Sequence, residues 1–262
     1  MKYANFSERF FVIKQKFTNF ASEMELKTRA IVLRTVKYGE NKLIVDFLTR
    51  DVGRESSVWK FSGERRIKVA RQLFQPLAIL DIDVVNSSAG QLSRIKEARL
   101  ASVYTSLPFD EIKLSLAFFV AEFLTYATRD LHDDKALYDF VEQSLLWLDA
   151  SEKGIANFHL MFMMRMSRFL GFFPDMTTYR EGYIFDLRDG RFSGELPSHG
   201  DVLLPDDAKK MHILMRMNPS NLHHFKMTQK ERNRIIDFSL KFYRLHIPQF
   251  GEMKSLGVLR TL

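Results

Sequence analysis

The segment KTRAIVLRTVKYGENKLIVDFLTRDVGRESSVWKF, residues 27–61, decides the fold of this chain of 262 residues. Its first part, residues 27–37, is rich in β-branched side chains and ends at the turn motif YGEN. Residues 42–50 follow, and a second short turn, DVG, separates them from residues 54–61. Apolar side chains occupy every second position of the middle part: Leu43, Val45 and Phe47. This period of two between turn motifs predicts three consecutive β-strands.

Two further strands are predicted downstream, over residues 74–85 and 91–100. Residues 62–72 (SGERRIKVARQ) form a longer, basic link with some helical character between the third strand and the fourth. Five strands in roughly 80 residues, with the longest link after the third, are the pattern of a small OB-type barrel. An SH3-like barrel leaves a similar pattern, so the sequence leaves that alternative open.

The second half of the chain changes to helical spacing of its apolar residues. It predicts helices over residues 109–128, 134–148, 152–170, 205–217 and 228–246. Thr228 and Glu231 have the spacing of a capping box at the start of the last helix. Residues 183–187 and 191–193 predict a small hairpin around Asp189-Gly190. The predicted fold class is α+β: a five-stranded OB-type β-barrel followed by a helical domain with a small β-hairpin insertion.

The charge of the chain is unevenly distributed. The total is 39 basic and 32 acidic residues, a net charge of +7. Residues 24–75 carry 12 basic and 6 acidic residues, whereas residues 106–174 carry 6 and 10. A basic segment of this kind favours a polyanionic partner. No apolar run approaches the ~18 residues of a membrane span, so we expect a cytoplasmic protein that has no membrane partner.

Basic residues on or between the predicted strands are the candidate DNA contacts, because phosphate oxygens need donors at intervals along a path. They are Arg34, Lys37, Lys42, Arg50, Arg54, Lys60, Arg65, Arg66, Lys68 and Arg71. The alternative is a solvated barrel surface with a charged loop. Trp59 and Phe61 share a face that we predict to be barrel core, which leaves Lys60 on the opposite face.

The residues that usually mark catalysis or a cofactor form no recognisable set. The chain has no cysteine, which excludes disulfides, thiolate metal sites and cysteine nucleophiles. It also lacks the phosphate-binding and dinucleotide-binding glycine motifs and the nucleophile-elbow motif. His212, His223 and His224 are the one local cluster of histidines, and a metal-dependent hydrolase that uses them is a minor alternative. Acid pairs such as Asp133-Asp134 and Asp206-Asp207 are interpreted as helix caps. We therefore predict no cofactor, no metal and no catalytic residue.

Four motifs occur in a fixed order along the chain. They are TRAIVLRTVKYGENKLIVDFLT (residues 28–49), RRIK with QPL (65–68 and 75–77), LGFFPD (170–175) and YRLHIP with KSL (243–248 and 254–256). In this order they resemble the RecO family of bacterial recombination mediators, and the resemblance covers residues 24–262. It implies a domain division into an OB-fold DNA-binding domain, residues 24–105, and a helical domain, residues 106–262.

The resemblance also implies a function that is not enzymatic. Members of this family bind single-stranded DNA, anneal complementary strands, contact the tail of the single-stranded DNA-binding protein, and act with RecR to load RecA. On that basis we expect a DNA repair protein of the cytoplasm that is associated with the nucleoid. The helical half would offer a pocket to the tail peptide, for which Arg165, Arg168 and Phe169 are the candidate partner contacts. The alternative is a protein-interaction adaptor with only incidental nucleic-acid binding.

The chain departs from the family pattern in two places. Many members carry two pairs of zinc-binding cysteines after the Pro-Asp position, but residues 175–203, the corresponding region, have none. Side-chain packing around the predicted hairpin is then expected to hold this region. Residues 1–23 precede the family-like segment and are interpreted as an extension, either a basic amphipathic arm or the product of an upstream start.

Overall fold

The structure is a computed structural model that describes residues 25–61, 64–85, 92–132 and 134–260, with the backbone alone for residues 64–67. The predicted extension 1–23, the side chains of Arg65 and Arg66, and the predicted cap Asp133 lie outside the described residues. Within the residues that the structure describes, no helix is long and apolar enough to cross a bilayer.

The N-terminal half is a closed five-stranded barrel. Its elements are β1 (Glu25–Tyr38), β2 (Lys42–Thr49), β3 (Gly53–Lys60), α1 (Glu64–Leu73), β4 (Ile79–Val85) and β5 (Ser93–Leu100). The strand order is β1-β2-β3-β5-β4, and β4 closes the barrel by pairing with β1. All pairs are antiparallel except β3 with β5, where Ser57 lies opposite Ser93. This is the connectivity of an OB-type barrel, so the predicted fold class is confirmed.

The fourth strand starts later than the predicted residue 74. Helix α1 ends at Leu73, and the chain then turns through Phe74, Gln75 and Pro76 to Leu77. The φ of Leu77, 66°, is unusual for a residue with a Cβ atom. Proline cannot donate a ladder hydrogen bond, and a left-handed residue cannot continue a strand. Ladder pairing therefore begins at Ile79.

Helix α1 covers one end of the barrel. Its buried side chains, Ala70 and Phe74, join the barrel core, and the ring of Phe74 lies 5.4 Å from that of Trp59. The hydroxyl of Thr35 on β1 donates to the carbonyl of Phe74 at 2.8 Å. Phe61 is also buried in this core and Trp59 packs against it, so the predicted inward face of β3 is confirmed.

A β-bulge at Leu33 reverses the side-chain alternation of β1. Before it, Val32 lies opposite Phe47 and points into the barrel core. After it, Arg34 lies opposite Asp46, so Leu33 and Arg34 both belong to the outer face. A bulge inserts one extra residue and re-aims those that follow. It thereby directs Arg34, Val36 and Tyr38 outward.

The C-terminal half is built from helices α2 (Glu111–Ala127), α3 (Lys135–Ala150), α4 (Phe158–Phe169), α5 (Pro205–Met215), α6 (Gln229–His246) and α7 (Leu256–Leu259). The predicted capping box of α6 is present, with Thr228 and Glu231 as partners. The predicted helix over residues 152–170 is shorter, because Gly154 has a left-handed φ of 76°. A 3₁₀ turn at Ile155–Asn157 follows it, and α4 starts at Phe158.

The predicted hairpin is present as β6 (Ile184–Asp186) and β7 (Arg191–Ser193), and a third strand that was not predicted, β8 (Val202–Leu203), pairs with β6. Buried Phe185 and Phe192 anchor this small sheet in the helical core. The ring of Tyr179 also stacks on His212, with centroids 3.7 Å apart. Aromatic packing therefore holds this cysteine-free region, as expected from the sequence.

The outer face of the barrel shares a hydrophobic core with the helical half, separate from the core inside the barrel. Ile31, Leu33, Leu48 and Ile79 from the outer face of the barrel are buried together with side chains of α2 and α4. The link between the halves is held by Asp149 of α3, which accepts backbone N–H groups of Thr105, Ser106 and Leu107 at 2.7–3.1 Å. Among the described side chains of β1, those in this shared core are Ile31 and Leu33, and none follows the bulge.

Candidate nucleic-acid interface

The ten predicted DNA contacts fall into groups that the sequence does not distinguish. Arg34, Arg50 and Arg54 form ion pairs with carboxylates, and Arg65 and Arg66 have no described side chains. The other five are Lys37, Lys42, Lys60, Lys68 and Arg71. A basic side chain that is already paired has fewer free donors and less uncompensated charge for a phosphate, so the groups differ in what they can bind.

Arg50 and Arg54 face the helical half. Arg50 donates to both oxygens of Asp139 on α3, at 2.8 and 3.2 Å. Arg54 is largely buried and donates to the carbonyl of Thr125 on α2 at 2.8 Å, with Asp46 at 3.5 Å. Burial lowers the pKa of Arg54, although Asp46 opposes that effect. These two arginines therefore join the two halves of the chain.

Arg34 is intermediate between the paired and the free cations, because it is both paired with a carboxylate and exposed. Its Nε and Nη2 donate to Oδ2 of Asp46 at 3.1 and 2.9 Å, yet 60% of its side chain is exposed. Asp46 itself is buried and also accepts from Ser56 at 2.7 Å. A guanidinium has five donors, so an exposed Arg34 can hold Asp46 and still present free N–H groups to a ligand.

The remaining five cations form what we call the basic end of the barrel: Lys37, Lys42, Lys60, Lys68 and Arg71. Among the side chains that the structure describes, none of the five has a carboxylate partner. Register places Lys42 opposite both Tyr38 and Lys60, which gathers them at the β1–β2 turn.

Helix α1 brings the remaining two cations to the same end. The backbone N–H of Phe61 donates to the carbonyl of Asn41 in that turn at 3.0 Å, so the chain leaves β3 beside the turn. α1 then packs over the barrel end through Ala70 and Phe74, which leaves Lys68 and Arg71 exposed. Strands β1, β2 and β3 and helix α1 therefore all carry unpaired cations at this end of the barrel, which gives phosphate oxygens several donors along a path.

Exposed apolar side chains accompany these cations, and sequence reasoning missed them. Tyr38 is 58% exposed and Val36 is 43% exposed, both on the outer face of β1. The ammonium of Lys42 lies 6.0 Å from the centroid of the Tyr38 ring. Their exposure follows from the bulge in β1. The sequence gives no signal for this bulge, because the apolar run Ile31-Val32-Leu33 fits either alternation of inward and outward side chains.

The predicted partner contacts in the helical half are less free than expected. Arg165 donates to the carbonyl of Met217 through Nε and Nη2, at 3.0 and 2.8 Å. Phe169 stacks on Phe140 with centroids 5.0 Å apart. Arg168 is exposed, with its guanidinium 4.3 Å from the Phe173 ring. Of the three, only Arg168 has an exposed side chain, and no described hydrogen bond would have to break for it to meet a partner.

An apolar groove of about 430 Å³ lies where barrel and helical half meet. It is lined by side chains from the β4 approach, the end of β5 and α2, among them Pro76, Leu100, Val103, Leu114 and Phe118. A groove with a mainly apolar lining suits an apolar group of a partner better than a phosphate. None of the five cations of the basic end is among the residues that line this groove.

The histidines considered for a metal do not converge. His212 is stacked on Tyr179, whereas His223 and His224 contact each other, with ring centroids 3.9 Å apart. Over the described ranges, no group of three or more metal-ligating side chains is arranged to hold an ion. The geometry gives no support to the hydrolase alternative.

Comparison with known proteins agrees with the fold. Residues 24–104 match the family model for the Recombination protein O N terminal, and residues 108–256 match that for the Recombination protein O C terminal. The chain is 41% identical over 236 residues to the DNA repair protein RecO of Phocaeicola vulgatus, covering 90% of this chain and 98% of that protein. It is 39% identical over 237 residues to the Bacteroides fragilis protein of the same name, with 90% and 98% covered. For that of Porphyromonas gingivalis the identity is 33% over 244 residues, with 91% and 99% covered. With both domain models matched and relatives aligned over nearly their whole length, this chain belongs to the RecO family of DNA repair proteins.

Proposed function

We propose that this chain is a recombination mediator that binds single-stranded DNA on the basic end of its barrel and anneals complementary strands. The observation that carries the proposal is the set of five cations without a described carboxylate partner, on the strands that meet at the β1–β2 turn and on helix α1. An OB-type barrel with a basic surface is a common scaffold for single-stranded nucleic acid.

Annealing follows from where such a surface makes contact. Lysine and arginine donors hold the backbone through its phosphates and carry no base preference. Two strands held on neighbouring positive surfaces repel each other less, because the cations replace their counterions. Their bases stay available for pairing. This action needs no covalent chemistry, so the proposed function is not enzymatic.

Membership in the family supports three protein partners. They are RecR, the tail of the single-stranded DNA-binding protein and, through loading, RecA, all acting on DNA at the nucleoid. The acidic character of residues 106–174 favours a division of labour in which DNA meets the barrel and proteins meet other surfaces.

The experiment compares two triple variants with the same loss of charge. K42Q/K60Q/R71Q removes three of the five cations of the basic end, and K226Q/K230Q/K254Q neutralises three exposed lysines of the helical half. Anisotropy of a labelled single strand and annealing of complementary strands are measured for both. We expect weaker binding and slower annealing for the first triple alone. Equal losses in both variants, or no binding by the unmodified chain, would contradict the proposal.

The second candidate function is a protein-interaction adaptor, which the apolar groove beside Phe118 favours. Titration with single-stranded DNA at physiological salt discriminates the two. Micromolar or tighter binding supports the mediator, and its absence supports the adaptor.

A further inference from the structure

We propose that Tyr38 is a stacking platform for an unpaired base of the bound strand, with Lys42 and Lys60 as the phosphate donors beside it. The inference rests on the proposed DNA binding and goes further, since it assigns a base contact to one residue. Its starting point is the bulge at Leu33, which turns Arg34, Val36 and Tyr38 onto the outer face of β1.

The bulge changes the surroundings of Tyr38. With regular alternation from Val32, positions 34, 36 and 38 would face the barrel interior, as Val32 does. After the bulge, Tyr38 is 58% exposed although it stands within a strand. Tyr38 pairs with Lys42 of β2 at the end of the strand, so the β1–β2 ladder holds the backbone that carries this exposed ring.

The neighbours of Tyr38 fit a nucleotide. Tyr38, Lys42 and Lys60 stand side by side on β1, β2 and β3, because register pairs Lys42 with each of the other two. Neighbouring strands are about 4.8 Å apart, so Lys42 stands next to the ring and Lys60 one strand further on the same side, a spacing that suits adjoining phosphates. Val36, two residues earlier on the same face, is 43% exposed and extends the apolar surface.

Lys42 does not close off the ring. Its ammonium lies 6.0 Å from the ring centroid, at the outer limit of a cation–π contact. The flexible lysine can therefore move to a phosphate when a base arrives. Bases of a duplex are stacked on each other inside the helix, so a platform of this kind distinguishes single strands from duplex.

The test uses Tyr38→Ala and Tyr38→Phe in the full chain, with Phe109→Ala as the control, since Phe109 is an 82% exposed aromatic in the link before α2. Ligands are a single strand containing 2-aminopurine and a matched strand with abasic sites. Loss of one stacked base weakens binding roughly 5- to 150-fold. We expect that loss of affinity for Tyr38→Ala on the strand with intact bases and not on the abasic strand. The affinities of Tyr38→Phe and Phe109→Ala should equal that of the unmodified chain.

Two further readouts separate stacking from charge. The slope of log affinity against log salt should not change in Tyr38→Ala, because no cation is removed. Quenching of 2-aminopurine on binding should be lost in Tyr38→Ala and kept in Tyr38→Phe. If Tyr38→Ala binds both strands like the unmodified chain while K42Q/K60Q/R71Q fails, the platform is wrong and the DNA-binding proposal stands. If the unmodified chain binds no single strand, both are wrong.

Discussion

Asp46 holds Arg34 on the outer face of the barrel, its Oδ2 accepting from Nε and Nη2 of Arg34 at 3.1 and 2.9 Å. The same carboxylate lies 3.5 Å from Nη2 of Arg54, which reaches the carbonyl of Thr125 in the helical half. One buried acid thus connects the face proposed for DNA with the junction between the two halves.

Replacement of this acid should destabilise the fold. In Asp46→Asn the buried Arg54 loses its compensating charge, and removing one partner of a buried pair costs about 3 kcal/mol. We expect the free energy of unfolding in urea to fall by about that amount. Asp83→Asn is the control, since its partner Lys27 is 70% exposed, and the loss there should stay below about 1 kcal/mol. Equal losses in both variants would show that Asp46 has no special structural role.

A close backbone approach fixes how the barrel meets the helical half. Gly53 begins β3 with a φ of 73°, and a Cβ atom there would lie 2.5 Å from the carbonyl carbon and oxygen of His132. In Gly53→Ala the left-handed conformation and the backbone clash act together, so we expect a loss of about 3 kcal/mol. Thermal and urea unfolding measure it.

Gly39 in the β1–β2 turn is the matched control. Its φ of 66° is similar, but an added Cβ would meet nothing within 4 Å. Gly39→Ala should therefore cost only the conformational strain, about 1 kcal/mol. If the two alanine variants were equally stable, the approach to His132 would not be a constraint on the junction.

The fold was predictable where local pattern decides it. The strands, the capping box at Thr228 and the inward face of β3 all follow from spacing or turn chemistry that a short window contains. The bulge at Leu33 was not predictable, because an unbroken apolar run carries no period. The third strand of the small sheet was missed because Val202–Leu203 is only two residues long.

The sequence predicts that the candidate site is built from basic residues of the barrel, but it does not predict which of these residues are free to bind DNA. The sequence shows ten cations, yet which of them are free depends on carboxylates that lie far along the chain. Arg50 is paired with Asp139, 89 residues away, and Arg34 with Asp46, 12 residues away. Only the folded chain brings these pairs together.

That difference predicts distinct salt dependences for two single substitutions. Lys60 has no carboxylate partner among the described side chains, whereas Arg50 donates to both oxygens of Asp139. Lys60→Gln should reduce the slope of log affinity against log salt by roughly 0.7, the value of one phosphate contact on a single strand. Arg50→Gln should leave the slope unchanged. The slopes are measured from affinities for a labelled single strand at several salt concentrations. A reduced slope for Arg50→Gln alone would mean that Arg50, and not Lys60, contacts a phosphate.

Asp149 should make the junction sensitive to acid. Burial by itself would raise the pKa of its carboxyl, but hydrogen bonds from the backbone of Thr105, Leu107 and Ser106 outweigh burial and lower the pKa from 3.8 to about 2. A lowered pKa in the folded state stabilises the protein above the unfolded pKa, and this contribution is lost as the pH falls through the folded one. The shift corresponds to about 2 kcal/mol, so Asp149→Asn should lose that much stability at pH 7, and the difference from the unmodified chain should vanish between about pH 4 and pH 2. Urea unfolding across this range measures it, with Asp237→Asn, an exposed partner of Arg260, as the control. A difference that is independent of pH would mean that the asparagine disturbs packing and that the charge of Asp149 does not hold the link.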